Sequence, residues 1–439
     1  MPGIPWRRKV GSCGDRAVKI LSLNPYIPHP LNSGGNLRSH HIVAALVDDH
    51  EVTFASQWGC GEQVDDWEFA SRFAEEPVLV PCASPSGANS SGARLRRGAP
   101  QPWFGLPESV ARRDFDSFWD ALGNLPLDSY DAIQVRTFHL IPYALAIRAA
   151  YPRVRLVLDL DDVPSVFSER TRRDAKMGWI SRWRWQSYLD YCRIRMYENR
   201  FLEEFDAVWV CSELDRARVA RWISPEKVVC IPNGVDVAAY ASLAPAADSQ
   251  KLLFIAYFAH DPNEAGAEWF HNGVLPEIRK QVPGVELWLV GREASPRLLD
   301  LDSPERGVHV TGQVPQVEPY LAAAAVSIVP LRVGTGTRLK ILEAMAAGLP
   351  VVSTTIGAEG IEVLDGENIV LADTTAAMAT ACIWLLKDPQ RRERLGEAGR
   401  RLVREKYDWG IIHRRIRECY DRMPCDRRSL CKGNQKAIG

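Results

Sequence analysis

Short apolar runs alternate with segments of helical period along this chain, and the alternation starts twice. The first series opens at "VKILSLN" (18–24) and continues through "EVTFAS", "VLVPC", "AIQVRT", "RLVLDLDD", "AVWVCS" and "VVCIPNG" (228–234). It restarts after "ASLAPAADSQ" (241–250) with "KLLFIAYFA", "VELWLVGRE", "VHVTGQV", "VSIVPL", "PVVSTT" and "NIVLAD". Strand, helix, strand, helix implies a parallel sheet covered on both faces. Each series also begins alike, with a strand, a glycine-containing loop and a helix ("LSLNPYIPHPLNSGGN" and "FIAYFAHDPNEAGAE"). The expectation is an α/β chain of two Rossmann-like domains facing across a cleft. Residues 1–240 form the first domain and 241–425 the second, with 426–439 a disordered tail.

The 439 residues suit two cores of this kind, and 46% are hydrophobic. A formal net charge of −1 gives no global attraction to nucleic acid, so any basic site must be local. Ten cysteines are scattered without a C-x-x-C pair, which fits a reducing cytosol and suggests no zinc ribbon. The first twenty residues carry basic groups but no apolar core of a signal peptide. "YLAAAAVSIVPL" is too short to span a bilayer. A cytoplasmic protein is expected, with peripheral contact at the inner face of a membrane left open. "ASPSGANSSGARLRRGAP" (83–100) reads as a flexible, locally basic loop.

The chemistry concentrates in "GTGTRLKILEAMAAGLPVV" (334–352). A helix is expected from about Arg338 to Ala347, capped by Thr335 or Thr337 and stopped by Gly348. Ile341, Leu342 and Met345 share the core face, while Lys340 and Glu343 lie on another. A loop of small residues entering a helix N-terminus is an anion site. Gly334 and Gly336 let backbone approach a ligand. Arg338 and Lys340 add the charge a pyrophosphate needs. Glu343 lies further in and could accept two hydrogen bonds from a ribose diol. The plain alternative is a capped helix with solvated charges.

This stretch resembles the donor-binding motif of retaining glycosyltransferases of GT-B fold, in family 4, also called group 1. "PLRVGTGTRLKILEAMAAGLPVVSTTIGAEGI", "VHVTGQVPQVEPYLAAAAVSIVPL" and "IPNGVD" carry the likeness in the second half. "ILSLNPYIPHPLNSGGNLRSHHIVAAL" carries it in the first. The resemblance extends over roughly residues 18 to 410. It implies a nucleotide-diphosphate sugar held mainly by the second domain and an acceptor on the first: a glycan, a lipid-linked molecule or a small molecule. It implies no cofactor and no metal. Glu343 matches the second of the family's paired glutamates, the one that holds the donor ribose. The first would fall at 335, where this chain has Thr335. Many members also carry an Arg and a Lys in the early loop of the second domain, and "YFAHDPNEAG" has neither. The phosphate role therefore shifts to Arg338 and Lys340, with Arg292 of "VGRE" beside them.

Retaining transfer in such enzymes is thought to need no protein nucleophile. The protein stabilises the leaving diphosphate and aligns the reactants. Gly34 and Gly35 are expected opposite the diphosphate, with Asn36 and Arg38 toward phosphate or acceptor. Arg136 and His139 are candidates for the catalytic group at the end of a central strand, where the family often has a His. "DLDD" (159–162) contains the D-x-D that holds a metal in glycosyltransferases of another fold, a role not expected here. The Trp- and Arg-rich segment 168–198, with Trp179, Trp183 and Trp185, reads as aromatics packed within the first domain, or as an interfacial surface for anionic lipid. The packed reading is preferred. Alternatives to transfer are an NDP-sugar epimerase on the same fold and a non-catalytic sugar-nucleotide or glycan-binding protein.

Overall fold

The computed structural model describes residues 17–31, 33–58, 78–81, 90–100, 102, 104–112, 116–174, 182–334 and 336–421. The expected tail, Thr335 and Trp179 lie outside them.

Seven parallel strands form the first sheet: β1 (Lys19–Asn24), β2 (Glu51–Trp58), β3 (Val78–Pro81), β4 (Ala132–Arg136), β5 (Arg155–Asp159), β6 (Ala207–Val210) and β7 (Val228–Cys230). Their order across the sheet is β3-β2-β1-β4-β5-β6-β7. Six more make the second: β8 (Lys251–Ile255), β9 (Glu286–Val290), β10 (Val308–Gly312), β11 (Val326–Val329), β12 (Val351–Ser353) and β13 (Val370–Leu371), in the order β10-β9-β8-β11-β12-β13. The strands read as continuous apolar runs because helices cover both faces. β4 and β11 are buried along their whole length. Both sheets reverse direction of winding between their first and fourth strands, β1 beside β4 and β8 beside β11. Loops leaving such a switch point diverge and open a crevice. The segments after β1, β4 and β11 carry most of the candidate residues, and Arg292 follows β9.

Three expectations change. The first helix starts at Gly34, so the glycines expected in a loop lie inside it, because Ser33 caps it by accepting from the Asn36 N–H at 3.2 Å. Gly34 and Gly35 are thus the first helical turn. Within 83–100, residues Ser90–Arg97 form a helix where a loop was expected. Leu95 and Ala99 anchor it in the first core, a tertiary contact that overrides the small polar residues around them. The last helix, Trp409–Asp421, leaves the second domain to which 241–425 assigned it. Its Trp409, Ile412, Ile416 and Tyr420 pack with Ile20, Ile42 and Trp209 of the first. Gly234 lies so close beneath it that a Cβ there would meet Ile412 and Trp409 at 2.7 Å.

Candidate active site

The helix within the 334–352 segment runs Leu339–Ala346, with Ile341, Leu342 and Met345 in the second core. Gly348 ends it with φ 72°, as its C′ position favours. The N-terminus differs from expectation. Arg338 occupies the cap position and no side chain caps the helix. Thr337 does not serve; its buried Oγ1 has no hydrogen-bond partner among the described residues. The free N–H groups of the first turn and an orphaned hydroxyl therefore share the helix mouth. Gly336 has φ 76°, a conformation that favours glycine, and a Cβ there would collide with the Asp162 carboxylate from the first domain.

Across the gap stands the other helix N-terminus. A Cβ on Gly34 would come within 3.3 Å of Leu339 Cδ1. Two helices from different domains thus direct their positive ends into one space. Gly35 lies against Tyr26, whose hydroxyl would be 2.6 Å from an added Cβ.

Lys340 is held in place. Its Nζ donates to Asn263 Oδ1 at 2.9 Å and lies 4.5 Å above the Phe254 ring. Burial, and then the charge of Arg338, pull its pKa down to about 7. Asn263 lies in the first turn of the helix Asp261–Trp269, within "YFAHDPNEAG", a segment without Arg or Lys that yet positions this cation. Glu343 is half-buried, and no hydrogen bond holds its carboxylate among the described residues. Burial raises its pKa, with Lys340 opposing. Burial also lowers that of Arg338, which Asp162 and Glu359 counter. Arg292 lies over the Tyr257 ring at 4.6 Å, and its carbonyl accepts from the Phe258 N–H at 3.0 Å, so it joins the rim of the same loop.

Two expected site residues are interior instead. Arg38 is wholly buried. It donates to both Asp159 oxygens at 3.0 Å through Nε, to Ile231 O at 2.9 Å and to Asn233 Oδ1 at 3.0 Å. It cannot reach an acceptor. Arg136 is 2% exposed, and its guanidinium is spent on Ser39 Oγ at 2.9 Å, Asp161 Oδ2 at 2.7 Å and Asp159 at 3.0 Å. Its Nη2 also donates to Gly35 O at 3.4 Å, beneath the glycine turn. The same contacts occupy the D-x-D carboxylates: Asp159 and Asp161 face arginines. Burial works against ionisation of Asp161, but Arg136 and Arg38 hold its pKa well below the usual range. Asn36 donates to Pro30 O at 2.7 Å and so braces the glycine turn. His139 follows β4 at the crevice, half-buried, with Nδ1 3.1 Å from Thr137 Oγ1.

Sequence reasoning missed the residues that join the domains. Arg170 donates to Gly334 O at 2.6 Å and to Glu359 at 2.7 Å; Arg218 meets the same Glu359 at 2.9 Å. Phe167 stacks toward His260, ring centroids 6.4 Å apart. No motif marks these contacts, because each pairs segments far apart in sequence.

Comparison with known proteins shows the family. The model "Glycosyl transferase 4-like domain" matches residues 33–234, and "Glycosyl transferases group 1" matches residues 249–388. The chain belongs to the group 1 glycosyltransferases. Among its relatives in that family is the phosphatidyl-myo-inositol mannosyltransferase of Mycolicibacterium smegmatis, 31% identical over 202 residues, covering 44% of this chain. This chain spans about half the length of that relative, 51%. The GT-B fold extends further. Sucrose-phosphate synthase from Thermosynechococcus elongatus superposes with a TM-score of 0.62 at 19% identity, covering 92% of this chain and 98% of that one. Anabaena Alr3699/HepE, solved with UDP and glucose, superposes with 0.61 at 15%, covering 92% and 99%. No helix among the described residues is long and apolar enough to cross a membrane.

Proposed function

We propose that this group 1 glycosyltransferase moves a hexose from a nucleotide-diphosphate sugar to a glycan, lipid-linked or small-molecule acceptor, with retention of configuration. The observation that carries the reading is the convergence of two helix N-termini, at Gly34 and Leu339, on one gap beside Arg338 and Lys340. Free N–H groups, two dipoles and two cations suit a diphosphate, both bound and leaving. Glu343, whose carboxylate makes no hydrogen bond among the described residues, suits the ribose diol. The named relatives add a mannosyltransferase and a structure with UDP and glucose, which supports a hexose donor.

The scheme uses no metal and no cofactor. Charge on the leaving diphosphate is met by helix ends, Lys340 and Arg338, and the acceptor attacks from the face the diphosphate leaves. His139, at the crevice end of β4, is the remaining candidate for orienting the reacting hydroxyl.

A thermal-shift and calorimetry screen across nucleotide sugars tests the reading, since a tight ligand stabilises the fold by mass action. The cognate donor should raise the melting temperature of the wild type and not of Glu343→Ala. Transfer in chelator should be undiminished. Silence across the panel rejects a donor site here. Donor binding without transfer or hydrolysis would favour the binding-protein alternative.

For localisation we propose a cytoplasmic protein with peripheral membrane contact. Trp185 is 64% exposed and Leu189 51%, one turn apart on the helix Arg182–Phe201, with Tyr188 beside them and Arg172 5.4 Å above its ring. An aromatic face flanked by arginine suits an anionic bilayer surface. Co-sedimentation with anionic vesicles should fall for Trp185→Ser; equal sedimentation rejects it.

A further inference from the structure

The acidic run after β5 sends its members to different places. Asp159 turns inward to Arg38 and Arg136. Asp161 also turns inward, to Arg136 at 2.7 Å and to the Cys211 thiol, which donates to it at 3.2 Å. Asp161 has φ 56°, a left-handed conformation that costs a non-glycine residue energy. Asp162, by contrast, reaches the second domain. Its carboxylate overhangs Gly336 of the helix mouth and faces Arg338. It keeps an exposed surface, and no hydrogen bond or ion pair engages it among the described residues.

We infer that Asp162 is a specificity residue, its carboxylate accepting hydrogen bonds from hydroxyls of the transferred sugar. The inference rests on the donor-site reading above. If the diphosphate lies on the mouth of the helix Leu339–Ala346, the sugar attached to it must project toward the first domain, and Asp162 overhangs that mouth. A carboxylate is repelled by phosphate and cannot be a phosphate ligand. Hydroxyls are donors, and their bonds to an ionised acceptor are the strong ones. A site built on such bonds rejects a sugar whose hydroxyl is missing or inverted. Arg338, next to Asp162, keeps it from repelling the diphosphate. Burial and the neighbouring Asp161 push the carboxyl up to about 6, with Arg338 opposing, so it is ionised at neutral pH.

The test is calorimetry on the wild type, Asp162→Asn and Asp162→Ala with UDP, GDP, UDP-glucose and GDP-mannose, each with and without chelator. Both variants should keep their affinity for the bare diphosphate, or gain a few-fold, because a negative charge leaves. Affinity for the cognate sugar conjugate should fall by about 10- to 100-fold, the size of a bond to a charged group. Equal losses for diphosphate and conjugate overturn the inference, as does an unchanged ratio between them. An effect of Asp162 that disappears in chelator also overturns it, since the carboxylate would then serve a cation. No nucleotide binding by the wild type overturns the donor-site reading first, and this one with it.

Discussion

Gly34 and Leu339 begin two helices in different domains, and a single methyl group added to the first would reach within 3.3 Å of the second. A side chain at residue 34 would project into the space between the helix mouths. Gly34 is itself exposed, so a larger residue there should narrow the site without disturbing a core. Gly34→Leu is expected to weaken nucleotide-sugar affinity by about 10-fold or more, roughly 1.4 kcal/mol, with little change in melting temperature. Unaltered affinity by calorimetry would place the ligand elsewhere.

Lys340 separates the diphosphate from the nucleoside. Lys340→Ala should weaken nucleotide diphosphate binding far more than nucleoside binding; equal effects reject its role. The pH dependence has a definite sign. With a pKa of about 7 in the free protein, Lys340 loses its proton as pH rises through neutrality. A bound diphosphate favours the charged form. Nucleotide-sugar affinity should therefore fall above pH 7, by up to about 10-fold per unit. Lys340→Arg stays charged and should flatten the profile.

Arg170 and Glu359 tie the domains at 2.7 Å, and Arg170 also holds the Gly334 carbonyl. Both side chains are partly buried, so the contact exceeds an ordinary surface pair. Arg170→Ala should raise the donor dissociation constant by about 5-fold, on the order of 1 kcal/mol. It should also broaden the interdomain distance distribution seen by small-angle scattering. An unchanged distribution would show that the pair does not hold the domains closed.

Arg38 is buried against Asp159 and not turned to the crevice. A ligand contact and a buried structural ion predict different losses. Removing one partner of the buried Arg38–Asp159 pair leaves the other uncompensated, at roughly 3–5 kcal/mol. Arg38→Ala should lower the chemical-denaturation midpoint sharply. A variant of native stability that loses only acceptor affinity would restore the acceptor role.

Three imidazoles stand where the last helix meets the first. His41 Nδ1 is 3.0 Å from His413 Nε2, and His41 stacks on Trp409 with centroids 3.9 Å apart. Burial lowers His40 and His413 to about 4 and His41 to about 2. In the unfolded chain each would titrate near 6.5. The unfolded state thus binds more protons below that pH, and stability present above about 6.5 is lost as pH falls through it. Each group contributes at most about 1.4 kcal/mol per unit. Urea midpoints from pH 7.5 to 5 should decline in the wild type and less steeply in His413→Gln. Parallel declines would remove the pair from the explanation.

The parallel sheets were legible because buried strands flanked by helices leave long apolar runs, and the start of each series repeats a strand–glycine–helix pattern. The 334–352 segment was legible because its helix buries Ile341, Leu342 and Met345 on one face and leaves Lys340 and Glu343 on another. That much follows from local periodicity. The fates of Arg38, Arg136 and Asp162 do not. An arginine at a helix start looks the same in sequence whether it meets a ligand or Asp159. The choice depends on which strand the fold brings alongside, more than a hundred residues away in the case of Arg38. The same holds for Arg170 and Glu359, and for the return of Trp409–Asp421 to the first domain. Sequence fixes what a residue can donate, accept or bury; only the packed chain decides which partner is within about 3 Å, and hydrogen bonds and ion pairs act at that range.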